Sequence, residues 1–191
     1  MALLIKNLSS KEIDELVMNS TNPHNSMFID IPILYIQNLI ELTWSDICCF
    51  IKLEYCSKTI AIKHANDIIT ENSDDLIYDL AICDQYDTDD FSFMDKVIQL
   101  SNQESCEVKQ NAMRKVFFTV LNFLYDNREF IKEPIQILDI VYDDFGFPDD
   151  FNDTMNRIYC LKRGKNRNSE VLELLKEFLI IEEKNISALA E

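Results

Sequence analysis

Apolar positions along the chain fall into segments with helical spacing, each bounded by polar punctuation. The strongest segment runs from Cys106 to Asn127, where Val108, Ala112, Val116, Val120, Phe123 and Leu124 form a stripe widened by Phe117 and Leu121. That spacing predicts a long central helix. Ser9-Ser10-Lys11-Glu12 and Thr43-Trp44-Ser45-Asp46 have the form of capping boxes, so helices are expected from each, the second reaching about Tyr55. Between them lie a loop over 20–32 and a short apolar helix over 33–40. Ser57 is the expected cap of a helix carrying Ile60, Ala61, His64, Ala65 and Ile68 on one face. Asp74 and Asp75 suit a first turn, because a helix N-terminus carries partial positive charge.

A further helix is expected from about Phe91 to Leu100. Pro134 starts another that Gly146 ends, and Pro148-Asp149-Asp150 opens the next, to about Tyr159. Ser169 opens the last, Glu170 to Lys184. The pattern predicts an all-α fold: a single-domain multi-helix bundle of about eight to nine helices around the 106–127 helix. Residues 1–191 form that domain, with 1–32 as a candidate N-terminal appendage.

Composition narrows the function more than the fold. The chain carries 34 acidic against 18 basic residues, a formal charge of -16, which argues against nucleic acid and anionic membrane surfaces as partners. Only 2 glycines leave little room for Gly-rich phosphate loops or hairpin-rich sheets. The N-terminus lacks the features of a signal peptide, and apolar runs of about five residues fall far short of the roughly 20 of a spanning helix. Six cysteines without a Cys-x-x-Cys pair are read as reduced, small hydrophobic side chains, so a cytoplasmic protein is expected.

The charge is concentrated. Residues 71–95 hold 9 acids and 139–153 hold 6, with no Lys or Arg in either. The other 151 residues are almost neutral, with 19 acids and 18 bases. Such segments are either a solvated surface or a recognition surface for a basic partner. Asp84-Gln-Tyr-Asp87-Thr-Asp89-Asp90 has ligands suited to Ca²⁺ or Mg²⁺, but lacks the turn glycine and terminal glutamate of an EF-hand loop.

Signals for catalysis are weak. His24 follows Pro23 in a polar loop, His64 lies on an apolar stripe, and Cys56 and His64 do not have a recurring zinc spacing. No Walker loop, His-Glu-x-x-His, Gly-x-Ser-x-Gly or dinucleotide fingerprint occurs. Trp44 is expected as a core anchor. The basic stretch Lys162-Arg163-Gly164-Lys165-Asn166-Arg167 is too short for a nucleic-acid site. No catalytic residue, metal or cofactor is expected.

Leu42-Thr43-Trp44-Ser45-Asp46-Ile47 and Ile140-Val141-Tyr142-Asp143-Asp144-Phe145-Gly146-Phe147-Pro148-Asp149-Asp150 resemble an uncharacterised bacterial domain-of-unknown-function family. Its pattern is a Leu-Thr-Trp segment, an Asn-Arg-like element (here Asn127-Arg128), a proline-led helix (here from Pro134) and a Tyr-x-Asp-Phe-x-Tyr-Pro motif. The resemblance covers roughly residues 40–155. The chain departs from the pattern at Gly146, where an acid is expected, and in lacking an aromatic-proline ending after Asn156.

Small acidic proteins of this sort occur as immunity proteins beside secreted bacterial toxins, in polymorphic or contact-dependent systems. The resemblance and the charge together lead to the expectation of an antitoxin that occludes a basic toxin such as a nuclease. Asp84, Asp87, Asp89, Asp90, Asp143, Asp144, Asp149 and Asp150 are the expected partner contacts. The alternatives are a carboxylate-based metal-dependent enzyme and a helical adaptor or regulatory protein.

Overall fold

A computed structural model describes residues 6–84, 88, 91–162, 164 and 166–188. These are all-helical, as the periodicity predicts, with ten α-helices and no strand among the described residues. The chain divides into two compact units, one of residues 1–30 with 117–191 and one of residues 31–116.

In the 31–116 unit the helices are α2 (Ile33–Leu39), α3 (Trp44–Lys52), α4 (Thr59–Ile68), α5 (Asp75–Ala81), α6 (Phe91–Gln103) and the start of α7 (Cys106–Asp126). Helix α3 packs on α6 and α4, and α5 packs on α4 and α6. Phe50, Ile47, Ile60, Ala61, Leu80 and Val97 are buried here. The Thr43 box forms as expected: the Thr43 N–H donates to the Asp46 carboxylate at 2.9 Å, and the Asp46 N–H donates to Thr43 Oγ1 at 3.2 Å. Asp74 caps α5, accepting from the Leu76 N–H at 2.8 Å.

The other unit holds α1 (Ser10–Met18), the rest of α7, a 3-10 turn (Arg128–Phe130), α8 (Pro134–Asp144), α9 (Asp149–Cys160) and α10 (Arg167–Ala188). Helices α8, α9 and α10 pack against one another. Helix α1 is tied to α8 through the Gln136 amide, which donates to Asp14 at 2.7 Å and accepts from the Ser10 hydroxyl at 2.6 Å. The 20–30 loop is more deeply packed than its polar sequence suggests. Its Met27 and Ile29 are buried, and Asn25 clamps its backbone, accepting from the Ile29 N–H at 2.8 Å and donating to the Ile29 carbonyl at 2.9 Å. Final helix α10 has 22 residues, longer than the predicted Glu170–Lys184 at both ends.

Candidate functional site

The turn between α8 and α9 is where local backbone chemistry and charge coincide. Helix α8 ends with two bonds that close its last carbonyls: the Gly146 N–H donates to Asp143 at 2.8 Å and the Phe147 N–H to Tyr142 at 2.9 Å. This is the Schellman pattern, which needs a left-handed residue after the cap. Gly146 supplies it at φ +70°. Phe147 follows at φ +60°, a conformation that costs a bulky residue about 1–2 kcal/mol. Its ring stands edge-on to Tyr142 at 5.1 Å between centroids, the apolar contact that accompanies this kind of helix end. Pro148 then starts α9. The Tyr142–Pro148 motif is therefore a helix stop, an aromatic clasp and a helix start.

Around this turn Asp139, Asp143, Asp149, Asp150 and Asp153 are exposed. Asp139 accepts a hydrogen bond from the Tyr159 hydroxyl, and Asp149 accepts from the Asn152 amide at 3.1 Å. Asp149 and Asp150 lie in the first turn of α9, where acids also steady the helix. Asp144 departs from the expectation of a partner contact. It is 8% exposed, and its carboxylate accepts from the Ser26 N–H at 2.9 Å and the Ser26 hydroxyl at 3.0 Å. Burial raises its pKa despite those bonds. Asp144 shares a helical face with Ile137 and Val141, all three buried, and thus anchors the 20–30 loop instead of meeting a partner.

The other acidic segment lies in the 31–116 unit. Glu71, Asp74, Asp75, Asp79, Asp84 and Asp95 are exposed there, with Asp79 paired to Lys96 at 3.2 Å. Asp87, Asp89 and Asp90 lie outside the described residues. The two segments thus belong to different units. Among the described residues no group of three or more His, Cys, Asp or Glu side chains could hold a metal ion.

The Leu42-Thr43-Trp44 segment builds a different feature. Glu104 reaches the start of α3, accepting from the Trp44 N–H at 2.7 Å, the Ser45 N–H at 2.9 Å and the Ser45 hydroxyl. Trp44 is buried, as expected of an anchor, and meets the His64 ring edge-on at 4.9 Å. A groove of about 430 Å³ opens here, lined by Glu41, Leu42, Lys63, His64 and Asp67 among others. His64 is 9% exposed.

Burial lowers the His64 pKa below its ordinary 6.5, outweighing the pull of Asp67 and Glu104 in the other direction. The folded state therefore favours the neutral ring. That contribution is complete above pH 6.5 and is lost as pH falls through the lower, folded-state value. A His64→Gln variant is expected to lose less stability than the parent in urea titrations stepped from about pH 7.5 to 5.5. Parallel curves would mean the ring does not titrate on unfolding.

A family model described as "Uncharacterized protein conserved in bacteria (DUF2247)" matches residues 33–183. The chain belongs to this family. The match confirms the resemblance and extends it beyond residues 40–155, from the first residue of α2 into α10. No curated protein and no solved structure matches the chain. Both motifs fall inside the DUF2247 match, and each has a structural reason: Thr43 and Trp44 set the start of α3, and Tyr142 to Pro148 turn α8 into α9. No helix among the described residues is long and apolar enough to cross a membrane.

The exposed Tyr159 was not singled out from sequence. Its signal was modest: an aromatic near the end of an acidic, otherwise amphipathic helix.

Proposed function

We propose that this chain is an immunity protein, an antitoxin that binds a cognate bacterial toxin with a basic active-site face and occludes it without catalysis. The observation that carries the reading is the run of exposed acids on α8 and α9. Asp139, Asp143, Asp149, Asp150 and Asp153 are exposed, and Arg157 is the only base between Pro134 and Cys160. Arg157 is itself engaged by Glu177 at 2.8 Å. Local repulsion of this kind disfavours the isolated protein, while it speeds encounter with an oppositely charged partner.

Co-expression with the toxin encoded by the adjacent gene tests the reading. Growth should be rescued and the two proteins should co-purify. Replacing the five exposed acids by Asn should slow association by about ten- to a hundredfold at low salt, with a smaller change in dissociation. Absence of both binding and rescue rejects the proposal.

A further inference from the structure

Two aromatic side chains lie among the acids of α8 and α9 without being taken into the core. Phe147 is 56% exposed and Tyr159 is 50% exposed. The helix-stop contact with Tyr142 accounts for one edge of the Phe147 ring but leaves over half of that residue in solvent. Phe147 rests against the buried Tyr142 at the α8–α9 turn, and Tyr159, near the end of α9, bonds to Asp139 of α8. Partial burial, and then the Asp139 carboxylate, push the Tyr159 phenol well above its usual value. It therefore remains a donor to Asp139, and that bond orients its ring.

The geometry points to a docking face for a basic protein partner, one of whose arginines stacks on Phe147 or Tyr159 while the flanking aspartates accept its N–H groups. This rests on the antitoxin reading and supplies its contact chemistry. An apolar partner is disfavoured here, since covering the patch would desolvate carboxylates without pairing them. A lysine would answer the charge but not the flat rings. Arginine answers both, through a planar cation that stacks on aromatic faces and binds carboxylates bidentately. Aromatic anchors ringed by polar groups are also where binding energy concentrates in protein interfaces.

Deca-arginine and deca-lysine peptides of equal charge are suitable probes, titrated against the full chain at about 150 mM salt. The parent should bind the arginine peptide about four- to tenfold more tightly than the lysine peptide. The Phe147→Leu/Tyr159→Leu variant keeps apolar bulk, and it should bring that ratio near one while retaining the salt dependence. Tyr159→Phe, which keeps the ring, should retain the preference. Asp143→Asn/Asp149→Asn should weaken both peptides alike. A thermal melt of each variant verifies that it is folded. The inference is overturned if the parent shows no arginine preference, or if the preference survives loss of both rings. Rescue of growth without an arginine preference sinks this inference and leaves the antitoxin reading standing. A ring-dependent preference without rescue does the reverse.

Discussion

Replacing Lys115 with methionine is expected to remove about 3 kcal/mol of stability at neutral pH, and clearly less near pH 5. Asp46, on the first turn of α3, is fully buried. One carboxylate oxygen accepts from Lys115 Nζ and the Thr43 N–H, both at 2.9 Å, while the other has no hydrogen-bond partner among the described residues. Lys115 also donates to the Glu41 carbonyl at 3.1 Å. Burial raises the Asp46 pKa even though Lys115 and Thr43 act to lower it, so desolvation already outweighs the pairing.

Methionine preserves much of the lysine stem and removes only the cation. Asp46 must then remain charged without compensation or take up a proton. Uptake caps the loss at about 1.4 kcal/mol for each unit between the unfolded-state carboxyl pKa and the ambient pH. A raised carboxyl pKa favours folding at low pH, and this advantage is lost as pH rises through the folded-state value. The penalty of Lys115→Met should accordingly shrink on acidification. Urea titrations at about pH 7.5 and 5 read this directly, and Lys115→Met/Asp46→Asn should recover most of the neutral-pH loss. An equal loss at both pH values would show that Lys115 acts through packing alone.

The Thr43 box that places Asp46 was legible in the sequence, because a cap depends on residues three apart. Gly146 was legible for the same reason: a helix stop needs a residue that tolerates positive φ, and the structure gives it φ +70°. What could not be read locally were the partners brought from a distance. Glu104 is sixty residues from the Trp44 N–H that it receives, and Ser26 is 118 from Asp144. Asp144 was nonetheless within reach of periodicity, as its place on the Ile137–Val141 face marked it as inward. Treating Asp143 and Asp144 alike overlooked the roughly 100° between consecutive residues of a helix. The start of α10 was missed because Asn168 is fixed by donating to the Lys132 carbonyl at 3.1 Å, a tertiary bond with no signature in the neighbouring residues.

Truncating Phe151 to alanine is expected to cost about 4 kcal/mol, the range for removing a buried phenylalanine whose surroundings cannot collapse. Its side chain, on the first turn of α9, is fully buried. Three rings converge on it: Phe178 of α10 at 4.7 Å, Phe117 of α7 at 5.4 Å and Tyr142 of α8 at 6.0 Å. Rings arriving from three different helices cannot close the gap together without moving those helices, so much of the cavity should persist. The consequence extends to the candidate site. Tyr142 contacts Phe151 on one side and Phe147 on the other, and its hydroxyl donates to Asn152.

Removing Phe151 loosens the support of the exposed aromatic and the acids beside it while leaving every proposed contact residue in the sequence. The expected result is a large fall in the urea midpoint and, at temperatures where the variant is still folded, weaker binding of the arginine peptide. Phe151→Leu should retain most of both, because it restores apolar volume at the same place. Normal binding by a folded but strongly destabilised Phe151→Ala would show that the face holds its shape independently of the aromatic core beneath it.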